Sequence, residues 1–292
     1  MNNLTIIVPV YNEAEVLPAV LPGLLGFCRE KGCRLVLVND GSKDGSLAIL
    51  REHTAGADFA KVVSHKLNRG YGGALKSGIR ASETEYSIFV DADGQHRLED
   101  VANLYRRTVE TDADMIVGSR KGQKGSPFRS LGKFFIRRIA KTLMNVPIYD
   151  INSGMKIFRT ELARKYMPLY PDGMAFSDII CLVFLYDRNL VLEEPIRVEE
   201  RKGGKSTIGL HTAISTVYEI LNIVTLFNPM KIFCPIAVTS SLVGLAWGTY
   251  IALQGRGLSV GANFLIISGI IFFLMGLLAE QVSQLRHRSL DR

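Results

Sequence analysis

The chain has very little cysteine and almost no tryptophan. Among 292 residues there are four cysteines (Cys28, Cys33, Cys181, Cys234) and one tryptophan, Trp247. No two cysteines form a Cys-x-x-Cys pair, and no histidines stand near them at metal-ligand spacing. A zinc module and a disulfide framework are therefore not expected, and the thiols read as reduced and mostly buried. No Gly-x-Gly-x-x-Gly follows the first apolar run, which argues against a dinucleotide site. Residues 70–77 end in Lys76-Ser77, but Leu75 stands where a P-loop requires glycine. His-Glu-x-x-His and Gly-x-Ser-x-Gly are both missing, which removes the usual zinc-protease and serine-hydrolase readings. Met1-Asn2-Asn3-Leu4-Thr5 lacks the basic segment and cleavage site of a signal peptide, so no leader is expected. Charged residues make up only 22% of the chain, yet their balance is +7. That excess suits an anionic partner: nucleic acid, membrane headgroups or phosphorylated substrates; with the motifs described below, no nucleic acid is expected.

Charge is missing altogether from residues 232–254 and again from 262–279. Each run approaches the roughly 20 apolar residues that cross a bilayer as a helix. The short segment 255–261 between them makes a turn, which predicts a transmembrane hairpin with helices at 232–254 and 262–283. Lys231 precedes it, Arg286, Arg288 and Arg292 follow it, and only Arg256 lies in the turn. By the positive-inside rule both termini and the large N-terminal part would be cytoplasmic, in a multi-pass protein of the cell's inner membrane. Gly244, Gly248, Gly269 and Gly276 would permit close helix packing, and with it a homo-oligomer.

The rest of the chain alternates apolar runs with helical stretches. Strands are expected at 4–10, 34–39, 61–65, 86–90, 114–118 and 190–199, with a further one after the turn at 150–154. Helices are expected up to Gly32, from Ser46, through Arg80, at 98–111 and at 177–187. Strands and helices at this spacing mean βαβ units and a mostly parallel α/β sheet covered on both faces. In such sheets ligands bind beyond the carboxyl ends of the strands. The unusual polar clusters fall there: Tyr11-Asn12-Glu13, Asp40-Gly41-Ser42, Asn68-Arg69-Gly70, Asp91-Ala92-Asp93 and Ser119-Arg120. One rim carries the chemistry.

Within that rim, Phe89-Val90-Asp91-Ala92-Asp93-Gly94-Gln95-His96 begins as a strand and ends in two carboxylates and an amide. Residues i and i+2 of a strand point the same way, so Asp91 and Asp93 would converge. With Gln95 they would form an all-oxygen set suited to Mg²⁺ or Mn²⁺, holding the diphosphate of an activated sugar. The other reading is an acidic turn at a strand end, since Asp-Gly is a common turn pair. Arg129, Lys133, Arg137 and Lys141 recur on one face of a stretch at about 127–145, with Leu131, Phe135, Ile139 and Leu143 opposite. That pattern reads as a basic amphipathic helix in a membrane interface or as an ordinary surface helix. Arg201-Lys202-Gly203-Gly204-Lys205-Ser206 suits phosphate binding by charge and exposed N–H groups, or is a solvated linker. The expected organisation is a domain over 1–210, a juxtamembrane amphipathic helix over 211–230, the hairpin over 231–285 and a basic tail over 286–292.

The ordered motifs Val8-Pro9-Val10-Tyr11-Asn12-Glu13, Asn39-Asp40-Gly41-Ser42, Asn68-Arg69-Gly70-Tyr71-Gly72-Gly73-Ala74 and Asp91-Ala92-Asp93-Gly94-Gln95 resemble those of family 2 glycosyltransferases. More narrowly they are similar to the dolichyl-phosphate mannose synthase and bacterial polyprenyl-phosphate glycosyltransferase group. Gly118-Ser119-Arg120, Asn152-Ser153-Gly154-Met155 and the Arg201 element extend the likeness to about residue 210. The resemblance implies a GT-A fold and inverting, metal-dependent transfer of a sugar from a UDP- or GDP-sugar to undecaprenyl or dolichyl phosphate. It implies that Asp91, Asp93 and Gln95 ligate Mg²⁺ or Mn²⁺, with Asp91, Asp93 and Arg120 at the catalytic centre. Pro9, Tyr11, Glu13, Asp40, Gly41, Ser42, Asn68, Gly70, Asp91 and Ala92 would form the nucleotide site. Arg120, Arg129, Lys133, Arg201, Lys205 and Ser206 would hold the acceptor phosphate. Asn39 stands where many members have a second aspartate, which leaves the nucleoside contact to Asp40. Met155 replaces a usual phenylalanine and Lys133 a usual serine. The Gln-x-x-Arg-Trp motif of processive polysaccharide synthases is missing, since Trp247 lies in the apolar tail. The rivals are transfer to a glycolipid hydroxyl, such as ceramide or diacylglycerol, and a non-catalytic membrane subunit.

Overall fold

The computed structural model of the protein describes residues 1–120, 147–199, 225 and 228–288. The chain divides into two units, 1–125 with 146–207 and 126–145 with 208–292. The basic stretch at 127–145 with Arg129 and Lys133, the element carrying Arg201, Lys205 and Ser206, most of 211–230 and the tail at 289–292 lie outside the described residues.

In the first unit the strands are β1 (Leu4–Val10), β2 (Arg34–Asn39), β3 (Ala60–Ser64), β4 (Tyr86–Phe89), β5 (Met115–Ser119), β6 (Lys156–Arg159) and β7 (Val191–Pro195). They make one sheet in the order β3-β2-β1-β4-β6-β5-β7. The β1 strand pairs in parallel with β2 on one side and β4 on the other. The chain thus moves outward from β1 through β2 to β3, then returns to the far side of β1. That reversal opens a crevice at the carboxyl ends of β1, β2 and β4, the place where open α/β sheets bind ligands.

The helices are α1 (Leu17–Lys31), α2 (Ser46–Thr54), α3 (Tyr71–Ala81), α4 (Leu98–Thr111), α5 (Thr160–Lys165) and α6 (Phe176–Tyr186). Strand alternation sorts the core. Leu4, Ile6, Val8 and Val10 of β1 join Leu17, Leu21, Leu24, Leu50, Val101 and Leu104 from α1, α2 and α4 in one apolar cluster. On the opposite face Phe89 packs on Phe158 at 4.7 Å between ring centroids and on Phe176 of α6 at 5.7 Å. There α3 lies directly on β1: a Cβ added at Gly78 would overlap the Ile7 Cγ2 methyl.

Three features differ from the strand pattern expected from the sequence. The sheet is mostly parallel, but β6 is inserted antiparallel between β4 and β5. The acidic strand ends at Phe89, and the chain beyond it turns, with Gly94 at a left-handed φ of 72°. The last strand stops at Pro195, which has no N–H for the ladder. Beyond it Ile196 still donates to the Ser119 carbonyl, and the chain then crosses to the β4 turn, where Glu199 N–H donates to the Gln95 carbonyl (3.0 Å). Helix α5 and the 3₁₀ turn Met167–Leu169 were not expected; they connect β6 to α6.

The second unit contains α7 (Met230–Leu253) and α8 (Val260–Arg288), both long and apolar enough to cross a membrane. They pack closely on each other. A Cβ at Gly244 would lie 2.9 Å from the Ala262 carbonyl oxygen, one at Gly248 3.2 Å from Ala262 Cβ, and one at Gly276 2.7 Å from Phe233 Cβ. Gly269 meets Ser241 and the Ala237 carbonyl in the same way, and Ser240 Oγ donates to the Leu265 carbonyl (2.8 Å). All four glycines therefore face the other helix of their own hairpin.

Because α3 lies directly on Ile7, Gly78→Ala is expected to destabilise the protein by about 1–3 kcal/mol despite alanine's better helix propensity. The change should appear as a lower denaturant midpoint at unchanged slope. A neutral result would show that α3 can move off Ile7.

Candidate active site

Seven chain segments meet in a cavity of ≈ 610 Å³ at the carboxyl ends of β1, β2 and β4. Pro9, Tyr11 and Glu13 come from the end of β1, Asp40 from β2, Asn68 and Gly70 from the start of α3, and Asp91, Ala92 and Asp93 from the turn after β4. Arg120 follows β5. Ten of the residues singled out in the sequence thus share one wall system. Tyr71, Asn152, Gly154, Met174 and Ser177 also line it. Tyr71, Asn152 and Gly154 lie inside motifs quoted for the family resemblance but carried no assigned role. Met174 and Ser177 follow β6, whose place in the sheet was not expected.

The acidic turn is built tightly. Asp91 Oδ1 accepts from the Tyr71 hydroxyl (3.1 Å), and burial beside Asp91 pushes that phenol well above its usual pKa. The Asp91 backbone N–H donates to His96 Nδ1 (3.1 Å), which leaves the proton of a neutral imidazole on Nε2, 4.0 Å from Asp91 Oδ2. A Cβ at Gly154 would sit 2.7 Å from that same Oδ2, so only glycine lets the carboxylate lie here. Asp93 Oδ1 accepts from Gln95 N–H (3.1 Å), an Asx turn. Turn geometry, rather than strand alternation, brings the two carboxylates to the cavity. Gln95 does not line it: its amide Nε2 donates to the Glu199 carbonyl (3.1 Å).

The glycines at the start of α3 have a packing origin. Gly73 N–H donates to the Asp172 carbonyl (3.1 Å), and Lys76 Nζ to the Asp172 carboxylate (2.7 Å). A Cβ at Gly70 would fall 2.6 Å from that carbonyl oxygen, and one at Gly72 would collide with the Pro171 carbonyl. The glycines make room for the 171–173 backbone, which carries Met174 to the cavity mouth. Gly41 is explained similarly, since a Cβ there would lie 2.5 Å from the Leu67 carbonyl carbon. Ser42 Oγ accepts from Asn12 N–H (3.1 Å), and Asn12 Oδ1 accepts from Lys43 N–H (2.8 Å). Gly41 and Ser42 shape the site from outside its lining.

One cation stands among the described lining residues. Arg120 is held by Asp150 through Nε (2.7 Å) and Nη2 (2.8 Å), its own N–H donates to the same carboxylate (3.1 Å), and Nη2 reaches the Asn152 carbonyl (3.2 Å). The paired hydrogen bonds that Arg120 donates to Asp150 raise the guanidinium pKa, so the charge is permanent. Asp150 in turn donates its backbone N–H to Glu193 (2.8 Å). Beneath lies Lys156, fully buried, donating to Ser177 Oγ (2.8 Å) and to the Ser153 carbonyl. Burial pushes its ammonium pKa down. Asp178 accepts a hydrogen bond from Asn152, and burial raises its pKa against the pull of Lys156. Its Oδ1 is buried without a hydrogen-bond partner among the described residues. Neither Asp150 nor Asp178 lines the cavity; Asp150 contacts Arg120, and Asp178 contacts Asn152.

The donor set fits Mg²⁺ or Mn²⁺. Among the described residues no group of three or more His, Cys, Asp or Glu could enclose an ion. Two carboxylates facing a cavity suit a hard cation that keeps its other positions for water and substrate phosphate.

Residues 5–167 match the model of "Glycosyl transferase family 2", and residues 228–285 match that of "GtrB C-terminal hairpin". The undecaprenyl-phosphate 4-deoxy-4-formamido-L-arabinose transferase of Edwardsiella ictaluri is 25% identical over 96% of this chain and 89% of its own length. The dolichyl-phosphate beta-glucosyltransferase of Dictyostelium discoideum is 30% identical over 65% of this chain and 64% of its own. Glucosyl-3-phosphoglycerate synthase from Mycobacterium tuberculosis, solved with Mn²⁺, uridine diphosphate and phosphoglyceric acid, superposes with a TM-score of 0.59 at 16% identity. That match covers 77% of this chain and 78% of the synthase.

Replacing Asp150 with alanine would strand both the guanidinium and the backbone N–H of Arg120. With Arg120 partly exposed, a loss of roughly 1–3 kcal/mol is expected in urea unfolding of the full chain in detergent. A change below about 0.5 kcal/mol would mean that the pair does not secure the end of β5.

Proposed function

The chain belongs to glycosyl transferase family 2, and we propose that it moves a sugar, with inversion, from a uridine or guanosine diphosphate sugar to a polyprenyl phosphate in a membrane. The observation that carries this reading is the meeting of both charges in one cavity: Asp40, Asp91 and Asp93 line it together with Arg120. The acceptor class rests on the full-length relative whose name specifies undecaprenyl phosphate and on the second relative, named for dolichyl phosphate. The two apolar helices suit an acceptor that lives in a bilayer.

Each lining group has a task in this reading. Asp40, with Pro9, Tyr11 and Glu13, takes the nucleoside, and Asn68, Gly70 and Ala92 bound the same space. Asp91 and Asp93 would hold Mg²⁺ or Mn²⁺. Such an ion, when bound, supplies positive charge to the departing diphosphate. Gln95 belongs to this group only if its side chain leaves the Glu199 carbonyl. Arg120 offers a fixed cation to phosphate, either the leaving group's or the acceptor's. Arg129, Lys133, Arg201, Lys205 and Ser206 complete the acceptor site in the same proposal.

The lipid phosphate oxygen forms the new bond to the anomeric carbon as the bond to the diphosphate oxygen breaks, and the electron pair leaves with the nucleoside diphosphate. The nucleophile is already anionic near neutral pH, so no side chain has to take a proton from it. That accords with the burial of Asp178 and the engagement of Asp150 with Arg120. The flanking cations Lys231, Arg286, Arg288 and Arg292 favour a hairpin whose two ends, and the catalytic unit, are cytoplasmic in the inner membrane. The proposed organisation is the catalytic domain over 1–210, a juxtamembrane helix over 211–230, the hairpin over 231–285 and a short basic tail.

Asp93→Asn should lower transfer to undecaprenyl phosphate by at least about 100-fold while the protein stays folded and in the membrane fraction. Near-normal turnover by the folded variant would reject the metal assignment. Gly154→Ala, which displaces the Asp91 carboxylate without touching its charge, should cost roughly tenfold or more in the same assay.

A further inference from the structure

Asp40 presents a carboxylate whose orientation is fixed from behind. Its backbone N–H donates to the Val10 carbonyl (2.8 Å), extending the β2–β1 ladder by one residue. Next door His65 N–H donates to the Asn39 carbonyl (2.9 Å), extending β3 along β2. The two side chains are thereby set face to face. His65 Nδ1 lies 2.6 Å from Asp40 Oδ1, with the side chains 5% and 3% exposed. The Arg69 backbone N–H donates to the same oxygen (2.9 Å). On the far side of the ring, His65 Nε2 is 2.8 Å from Ser77 Oγ of α3.

These contacts assign the roles of the atoms. A carboxylate only accepts, so Nδ1 carries the proton that points at Asp40. The Ser77 hydroxyl can donate to Nε2 or accept from it, and so holds the ring in this orientation in either case. Two donors on Oδ1 stop the carboxylate from turning about χ2, a torsion that is otherwise broad and twofold. They leave Oδ2 as the oxygen available to a ligand in the cavity. A fixed carboxylate oxygen suits a base that offers a ring N–H, as uracil and guanine do. The corresponding ring nitrogens of cytosine and adenine are acceptors and would face it with lone pair against lone pair.

We propose that His65, backed by Ser77, is a positioning residue that aims Asp40 at the nucleobase and so sharpens the choice of donor nucleotide. The proposal rests on the reading that Asp40 takes the nucleoside. Nothing in it requires His65 to touch substrate. The residue falls outside every motif quoted from the sequence, because its neighbours on the chain, Ser64 and Lys66, give no sign of a site.

The test is nucleotide binding by the purified full chain in detergent with saturating Mn²⁺, using UDP, GDP, CDP and ADP as probes. The tighter of UDP and GDP should bind His65→Ala about tenfold more weakly than the parent, with its advantage over CDP and ADP reduced, as expected for one lost charge-assisted hydrogen bond. His65→Asn, whose Nδ2 can replace Nδ1 as the donor, should recover most of the affinity. Parent-like affinity in folded His65→Ala, or no recovery in His65→Asn, would overturn the proposal. Should His65→Ala fail to fold, Ser77→Ala decides: a loss of about threefold supports the relay, and parent-like binding overturns it. Asp40→Asn separates the two layers. If it binds like the parent, the nucleoside role of Asp40 fails and the His65 role falls with it. If it alone weakens binding, only the His65 proposal fails.

Discussion

The site depends on β1 being paired in parallel on both of its edges. That arrangement sends the ends of β1, β2 and β4 to the same rim, so that Tyr11, Asp40 and Asp91 arrive within one cavity although they are far apart in sequence. It also requires β1 to be apolar on both faces, which LTIIVPV satisfies, with even positions under α1 and Ile7 under α3. The absence of a side chain at Gly78 sets how closely α3 can approach, and α3 in turn brings Tyr71 to Asp91 and Ser77 to His65. Core packing and site geometry are thus the same constraint seen from two sides of one helix.

Much of this was legible from residue pattern. Continuous apolar runs marked β1, β2 and β4, and polar residues at their ends marked the rim, because a parallel strand must bury both faces and can turn polar only where it leaves the sheet. The carboxylate pair was legible as a pair, but not through strand alternation: the strand ends at Phe89, and Asp91 and Asp93 both reach the cavity from the turn that follows it. The insertion of β6 was not legible. Lys156–Arg159 is short and carries charge at both ends, and Lys156 is accepted into the core only because Ser153 and Ser177 receive its ammonium protons. Local sequence cannot announce partners supplied from a later helix. The same holds for Gln95, whose amide is drawn to Glu199 by the way the chain leaves β7 at Pro195.

The carboxylates and the cation of the cavity are held by different means. Asp40 and Asp91 are acceptors, fixed by an imidazole, a phenol and a backbone N–H group. Arg120 is charge-paired with Asp150, and the buried Asp178 also acts on it by charge. The paired contact keeps the guanidinium in one orientation. The contrast suits a reaction in which carboxylates must attract positive charge and a guanidinium must orient phosphate.

The seating of the 171–173 backbone on Gly70, Gly72 and Gly73 ties together two segments about a hundred positions apart in the chain. A lineage could gain a side chain at position 72 only if the 171–173 segment had already moved away, and that segment carries Met174 at the cavity mouth. Drift in the glycine motif and drift in the cavity entrance are therefore not independent. The order of substitutions is constrained, with the later segment changing first. An apparently silent glycine thus sets which entrances to the site can be reached by single steps.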